Sequence, residues 1–226
     1  MPRRYDSMDA KRRILSASVR LLWEKGYTNT TVADIMRQAD VSCGTFQNIF
    51  HTKDGLLAEL AATMFTGQFA AAGKLTGGHL PPVYEYAVET SIQLALTEMN
   101  ENLRDIYLAA YTHEKAMDFI HRQTARQLVR IFAVNLPGYT ESDFYELELG
   151  SAGLMRGYMA RPCDENFPLE KKLERFLFMS LNAFCVPAQE RDRIIAFVGG
   201  LDIRQIARQV MEQLFQSVSL QFSITK

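Results

Sequence analysis

Cysteine chemistry is nearly absent from this chain. Cys43, Cys163 and Cys185 are an odd number at wide spacing with no CxxC pair, which argues against a disulfide framework and against a zinc site. No apolar run is long enough to span a bilayer, and the charged N-terminus MPRRYDSMDAKRR is not followed by an apolar segment of the signal-peptide kind. Together these absences predict a reduced, soluble, cytoplasmic protein with no membrane partner. Nucleotide loops of the GxxxxGK[ST] or GxGxxG type, a GxSxG elbow and an HExxH zinc motif are all missing, so no cofactor, no metal and no catalytic residue is expected. The four histidines do not repair this. His113 and His121 share one expected helix, but eight residues place them about 12 Å apart, too far for one metal ion.

Period-two runs of β-branched residues are also lacking, and apolar residues recur at helical spacing almost throughout, so the expected class is all-α. The first helix is expected from about Asp9 to Lys25, with stripes through Ile14, Ala17, Leu21 and Leu15, Val19, Leu22, stopped by Gly26. A short second helix starts after Thr31 and carries Val32, Ile35, Met36 and Ala39. After Asp40 and Val41, Ser42 can cap a short third helix with Phe46, Ile49 and Phe50 on its apolar side. Thr52 can cap a fourth, which fades at Ala70 to Ala72 before the Gly77-Gly78-His79-Leu80-Pro81-Pro82 stretch, the best linker in the chain. Beyond it helices are expected at 82–99, 101–111, 113–136, 141–160, 169–185, 188–198 and 202–222, broken by Pro137-Gly138, Pro162, Pro168, Pro187 and Gly199-Gly200. The domains expected are thus 1–53, a connecting helix over 53–72, and a larger helical body over 73–226.

Net charge is only −1, but it is unevenly placed. Through residue 53 nine bases face five acids, a net of +4, and the remainder is −5. Any surface for a polyanion is therefore expected in the first quarter. Two short helices joined by a tight turn, as over Thr31 to Phe50, can present the second helix to a DNA major groove. The turn needs a residue that tolerates the left-handed region, a role left to Asp40. Cys43, Gly44, Thr45, Gln47 and Asn48 lie where base edges would be read.

The stretch ILSASVRLLWEKGYTNTTVADIMRQADVSCGTFQNIFHTKDGLLAEL, residues 14–60, resembles the DNA-binding domain of the TetR/AcrR family of transcriptional regulators. The resemblance rests on the EKGY helix end with Thr30-Thr31, Ile35, the Val41-Ser42 turn, Gly44-Thr45, Phe50, and Lys53 followed by paired leucines. It implies an N-terminal helix-turn-helix domain on a larger C-terminal domain that binds a small effector and dimerises, with a near-palindromic double-stranded DNA operator as partner. The sequence departs from the family at Asp40 where glycine is usual, at Cys43 for lysine, at Gln47 for tyrosine and at Ile49 for an aromatic. Gln47 becomes the leading base reader, since glutamine can pair with adenine through two hydrogen bonds. Phosphate contacts are assigned to Thr31, Lys53 and the arm residues Arg3, Arg4, Lys11 and Arg12, although the same bases also read as ordinary solvated charge and Thr31 as a plain cap.

In the larger body Tyr84, Tyr107, Tyr111, Phe119, Met155, Tyr158 and Met159 are candidates for the effector pocket, with ordinary core packing as the alternative. The stripes Leu173, Leu177, Phe184 and Ile203, Ile206, Val210, Leu214, Val218 are candidates for the dimer interface, with an intrachain core as the alternative. Two rival readings stand beside the ligand-released repressor: a helix-turn-helix regulator controlled by a protein partner, and a helical enzyme.

Overall fold

The computed structural model describes residues 2–217, with side chains for 7–216. Arg3, Arg4 and Val218 therefore have side chains outside the described residues. Among the described residues eleven helices follow one another: α1 Pro2–Lys25, α2 Val32–Ala39, α3 Cys43–Phe50, α4 Lys53–Thr76, α5 Pro82–Met99, α6 Glu101–Ala110, α7 Glu114–Phe132, α8 Glu141–Ala160, α9 Leu169–Ala183, α10 Ala188–Gly199 and α11 Ile203–Ser217. Among the described residues none is long and apolar enough to cross a membrane.

The helix ends follow from local chemistry. Thr31 and Asp34 cap α2 reciprocally, the threonine side chain accepting from the Asp34 N–H and the aspartate accepting from the Thr31 N–H. Ser42 and Thr52 accept from the N–H groups of Thr45 and Gly55 at the starts of α3 and α4. Three expected boundaries move by a turn or more, the end of α7 among them, at Phe132 rather than 136. α1 begins at Pro2 rather than Asp9, because a helix does not need an apolar stripe to propagate: the polar stretch is helped by Asp9 pairing with Arg12 and Arg13 three and four residues on. α4 runs to Thr76, one turn past the alanines, and ends on Gly77 at φ 60.

α1, α2, α3 and the start of α4 enclose a small core of Ile14, Leu21, Ile35, Phe46, Phe50, Leu56 and Leu57. α5 is the axis of the rest of the molecule. It is buried on all sides, against α4, α6, α7, α8, α9, α10 and α11, and Tyr86 packs edge-on to the stacked pair Phe132 and Phe184.

Gly55 marks the tightest approach between the small domain and α4. A Cβ there would collide with the Phe50 carbonyl oxygen, which is backbone and cannot swing aside. Within an exposed helix, glycine to alanine gains up to about 1 kcal/mol. Gly55→Ala is expected to do the reverse and lower stability by about 1–3 kcal/mol in thermal unfolding.

The proposed dimer stripes turn inward. Leu173, Leu177 and Phe184 on or just after α9, and Ile203 and Val210 on α11, are buried within the chain, while Ile206 and Leu214 pack on the same core half-buried. Helical periodicity reports that a face is covered, without saying whether the cover is the same chain or a second copy, and Leu173, Leu177 and Ile203 also line an open groove beside α10. Among the described residues the large apolar side chains left in solvent are Met8, Leu75, Val134, Tyr139, Leu149 on α8 at 48% exposure, and Phe178 and Met179 on α9 at 42% and 50%.

Candidate nucleic-acid interface and buried cavity

The α2–α3 turn is held by the residue that departs most from expectation. Asp40 sits at φ 50, ψ 56, the left-handed region that glycine enters more easily. The Arg13 guanidinium of α1 donates to the carbonyls of Ala39 and Asp40, both at 2.7 Å, and so fixes the turn against α1. Phe46 and Phe50 then anchor α3, their rings 5.8 Å apart. The helix consequently exposes Cys43, Gly44, Gln47 and Asn48 on one face, with Thr45 half-buried at its edge and its hydroxyl 2.9 Å from that of Ser42.

The basic residues assigned to phosphate lie in different surroundings. Thr31 is exposed beside this face but already serves the α2 cap. Lys11 pairs with Glu59 of α4 at 2.8 Å and Arg12 with Asp9 at 3.1 Å. Pairs this exposed contribute little in isolation, so both cations remain available to exchange an intramolecular carboxylate for a phosphate. Lys53 is more committed: its ammonium donates to the Tyr27 carbonyl and lies 3.8 Å from the centre of that ring, and burial lowers its pKa.

The small domain is tied to the body through α6. Asp105 accepts from the Thr28 N–H at 2.7 Å and its hydroxyl at 2.9 Å, and the Asn102 amide donates to the Trp23 carbonyl at 2.9 Å. Gly26 makes the approach possible. It lies at φ 76, and a Cβ on it would sit 2.7 Å from the Asp105 carboxylate.

The opposite side of α6 lines a cavity. Ile106, Tyr107, Ala110 and Tyr111 meet Leu57, Leu60, Ala61, Met64, Phe65 and Gln68 of α4, with Gln93 and Ile120 behind, around a volume of ≈ 40 Å³. Gln93 and Tyr111 also border a second space of ≈ 20 Å³ between α5, α7 and α8, whose walls include Tyr86, Glu89, Glu148, Ser151 and Met155. The first chamber is chiefly apolar and the second, though still mostly apolar, carries the larger polar share. At their shared border the Tyr111 hydroxyl donates to Gln93 Oε1 at 3.0 Å.

Of the expected pocket residues, Tyr107, Tyr111 and Met155 line these spaces. The others do not. Tyr84 packs edge-on to Phe197, Phe119 to Phe65, and Tyr158 to Phe176, while Met159 is fully buried core.

The buried polar residues were missed. Glu89 and Gln93 hydrogen-bond to each other one turn apart on α5, Gln68 donates to the Tyr107 hydroxyl, and His121 Nδ1 lies 3.6 Å from Glu148. Burial pushes Glu89 up to about 8, only partly opposed by the Gln93 hydrogen bond and reinforced by the charges of Glu148 and Glu85. Burial likewise raises Glu148 to about 7 against the pull of His121. A signal for them existed: a helix with apolar residues on every face must be central, so its polar residues are buried too.

Comparison with known proteins adds three findings. Residues 14–60 match the profile of the bacterial regulatory proteins, tetR family. Over 84% of this chain and 93% of the other, the fold is similar to that of RolR in complex with resorcinol, at 19% identity and a TM-score of 0.62. CprB, a TetR-family protein from S. coelicolor A3(2), aligns over 92% of this chain and 99% of its own at 16% identity and a TM-score of 0.47. No curated protein matches the sequence.

Proposed function

With residues 14–60 a tetR-family DNA-binding domain on a larger all-α body, we propose a homodimeric repressor that reads a near-palindromic operator and releases it when a small molecule occupies the two-chamber cavity. One observation carries the coupling. The helices that wall the apolar chamber, α4 and α6, are also the helices that hold the small domain: α4 supplies Leu56 and Leu57 to its core, and α6 binds it through Asp105 and Asn102.

The cavity is small as it stands. A benzene-sized ligand occupies a cavity of about 150 Å³, so entry of even one ring must spread α4 and α6 and re-aim the domain they carry. The ligand favours the spread state by its tighter binding there, and the operator favours the closed one. RolR, similar in fold, is a protein seen with the small aromatic resorcinol, which supports a small-molecule effector for this body.

For the second copy, α8 and α9 are the favoured surface. Leu149, Phe178 and Met179 leave apolar area in solvent, and a Cβ on Gly150, Gly153 or Gly157 of α8 would meet nothing within 4 Å. Two copies joined there present two α3 helices, as a two-fold site requires. On α3, Gln47 and Asn48 read bases, Cys43, Gly44 and Thr45 approach the groove, and Thr31, Lys11, Arg12 and the arm residues Arg3 and Arg4 face phosphates. Lys53 acts chiefly by setting the α1–α2 corner.

Selection from a random duplex library with the full chain tests this reading. The expected product is a pair of inverted half-sites about 34 Å apart, one helical turn. Gln47→Ala is expected to cost about 1–3 kcal/mol on that site and relax one base position per half-site. A selected pool no better bound than the starting library contradicts the proposal.

A further inference from the structure

We propose that the cavity takes a small organic cation, its apolar part in the chamber walled by α4 and its charged nitrogen between Glu89 and Glu148. This rests on the preceding proposal only in placing the effector in this cavity.

The charge inventory of the site is one-sided. Glu89 and Glu148 are 2% and 3% exposed and enter from α5 and α8. Among the described residues no lysine or arginine lines either chamber. The third nearby carboxylate, Glu85 of α5, is paired outward with Arg130 of α7 at 2.8 Å. α6 contributes the hydroxyls of Tyr107 and Tyr111, which burial keeps neutral, and α4 contributes the uncharged Gln68. From α7 the group facing Glu148 is His121, placed just beyond hydrogen-bond distance. From α9 Ser180 stands beside the Tyr86 hydroxyl and contributes no charge.

Two further atoms are unsatisfied. The Tyr86 hydroxyl, on a residue 3% exposed and lining the second chamber, makes no hydrogen bond although the Ser151 and Ser180 side chains stand near it. His121 Nδ1, on a side chain 8% exposed, has no hydrogen bond among the described residues, the Glu148 carboxylate lying 3.6 Å away. Buried polar groups are nearly always paired, so two orphans beside two unneutralised carboxylates describe a site awaiting a ligand with donors. An anion would oppose ionisation of either glutamate. A neutral molecule leaves both acids protonated, as burial already favours, whereas a cation draws out their ionised form and supplies the matching charge. The rings of Phe69, Tyr86 and Tyr111 around the second chamber suit a cation as well.

The consequence is an exchange of protons for ligand. At neutral pH the two raised carboxyls retain protons, and a cation entering between them displaces these into solvent. Affinity for the cation should therefore fall as pH drops below about 7 and again be weak at pH 5, where both acids are protonated.

Calorimetric titration of the full chain with three probes of one shape, phenethylammonium, 2-phenylethanol and phenylacetate, in two buffers of different ionisation enthalpy, tests the proposal. The expected result is a preference of about tenfold or more for the ammonium, none for phenylacetate, and a buffer-dependent heat that reports proton release. Glu89→Gln and Glu148→Gln, each checked for a parental circular dichroism spectrum, should remove the preference and leave alcohol binding as it was. Alcohol binding as tight as the ammonium, an ammonium heat independent of buffer, or no ammonium binding at millimolar concentration would each overturn it. Operator binding measured on the same preparation separates the two proposals: operator release by the alcohol alone sinks the cation and keeps the regulator, whereas cation binding without any operator binding does the opposite.

Discussion

Glu98→Ala is expected to lower the unfolding free energy by about 3–5 kcal/mol, among the largest losses available from one side chain in this protein. Lys172 of α9 is fully buried, and its ammonium has two partners, Glu98 Oε1 at 2.6 Å and the Arg161 carbonyl. The other oxygen of Glu98 accepts from Arg104 of α6 and from the Cys163 N–H, both at 3.0 Å. One carboxylate therefore gathers the end of α5, α6, α9 and the segment after α8. Its removal leaves a buried cation with a carbonyl alone, and that uncompensated charge is what destabilises. Lys172→Met in the same chain should recover most of the loss, because pair and apolar substitute are often close in free energy.

The pH dependence of that contribution has a definite sign. Partial burial raises the Glu98 carboxyl, but the hydrogen bonds from Lys172 and Cys163 and the charges of Lys172 and Arg104 outweigh it and hold the pKa below the ordinary value. A depressed acid stabilises above its unfolded pKa and loses the contribution as pH falls through its folded one. Urea unfolding should thus show the full difference between parent and Glu98→Ala at pH 7, shrinking below about pH 4.

Glu89→Gln should act in the opposite direction and at the opposite end of the scale. The Glu89 carboxyl is raised to about 8, so the folded chain holds its proton more tightly than the unfolded one. Its contribution is complete below the unfolded value near 4.5 and is lost as pH rises toward about 8. Glutamine fills the same space without ionising. Parent and variant should therefore unfold alike near pH 5, while above pH 8 the variant should be more stable by about 3–5 kcal/mol. Thermal unfolding across pH reads this directly. A parent as stable at pH 9 as at pH 5, with no advantage to the variant, would mean that Glu89 reaches water.

Much of this architecture is legible in the sequence because it depends on short-range rules. The caps Thr31, Ser42 and Thr52, the left-handed Asp40 and the apolar pairs Ile35, Phe46 and Phe50 each act within a few residues, so the small domain can be read almost directly. Partnership over long range is different. The stripes on α9 and α11 announce that something covers them, yet only the packed chain shows α8 and α10 beside α9 and α5 and α4 beside α11. Tyr84 and Tyr107 look alike as aromatics on helices, and the twist of α5 against α6 sends one to Phe197 and the other to the cavity. Glu89 and Gln93 read as surface residues until α5 is seen to be buried on all sides, and Glu148 until α8 is seen packed on α7. Arg13 looks like one more base of a positive arm, whereas its guanidinium is spent on the turn carbonyls that Asp40 needs held.

The most direct measurement is a fluorescence-anisotropy titration of the purified full chain on duplexes from its own upstream DNA, at two salt concentrations, with random duplex as control. Two chains per duplex, tight binding confined to one near-palindromic site, and a steep loss of affinity at the higher salt are the predicted results. Binding to every upstream duplex no tighter than to random DNA, at both salts, would contradict the account.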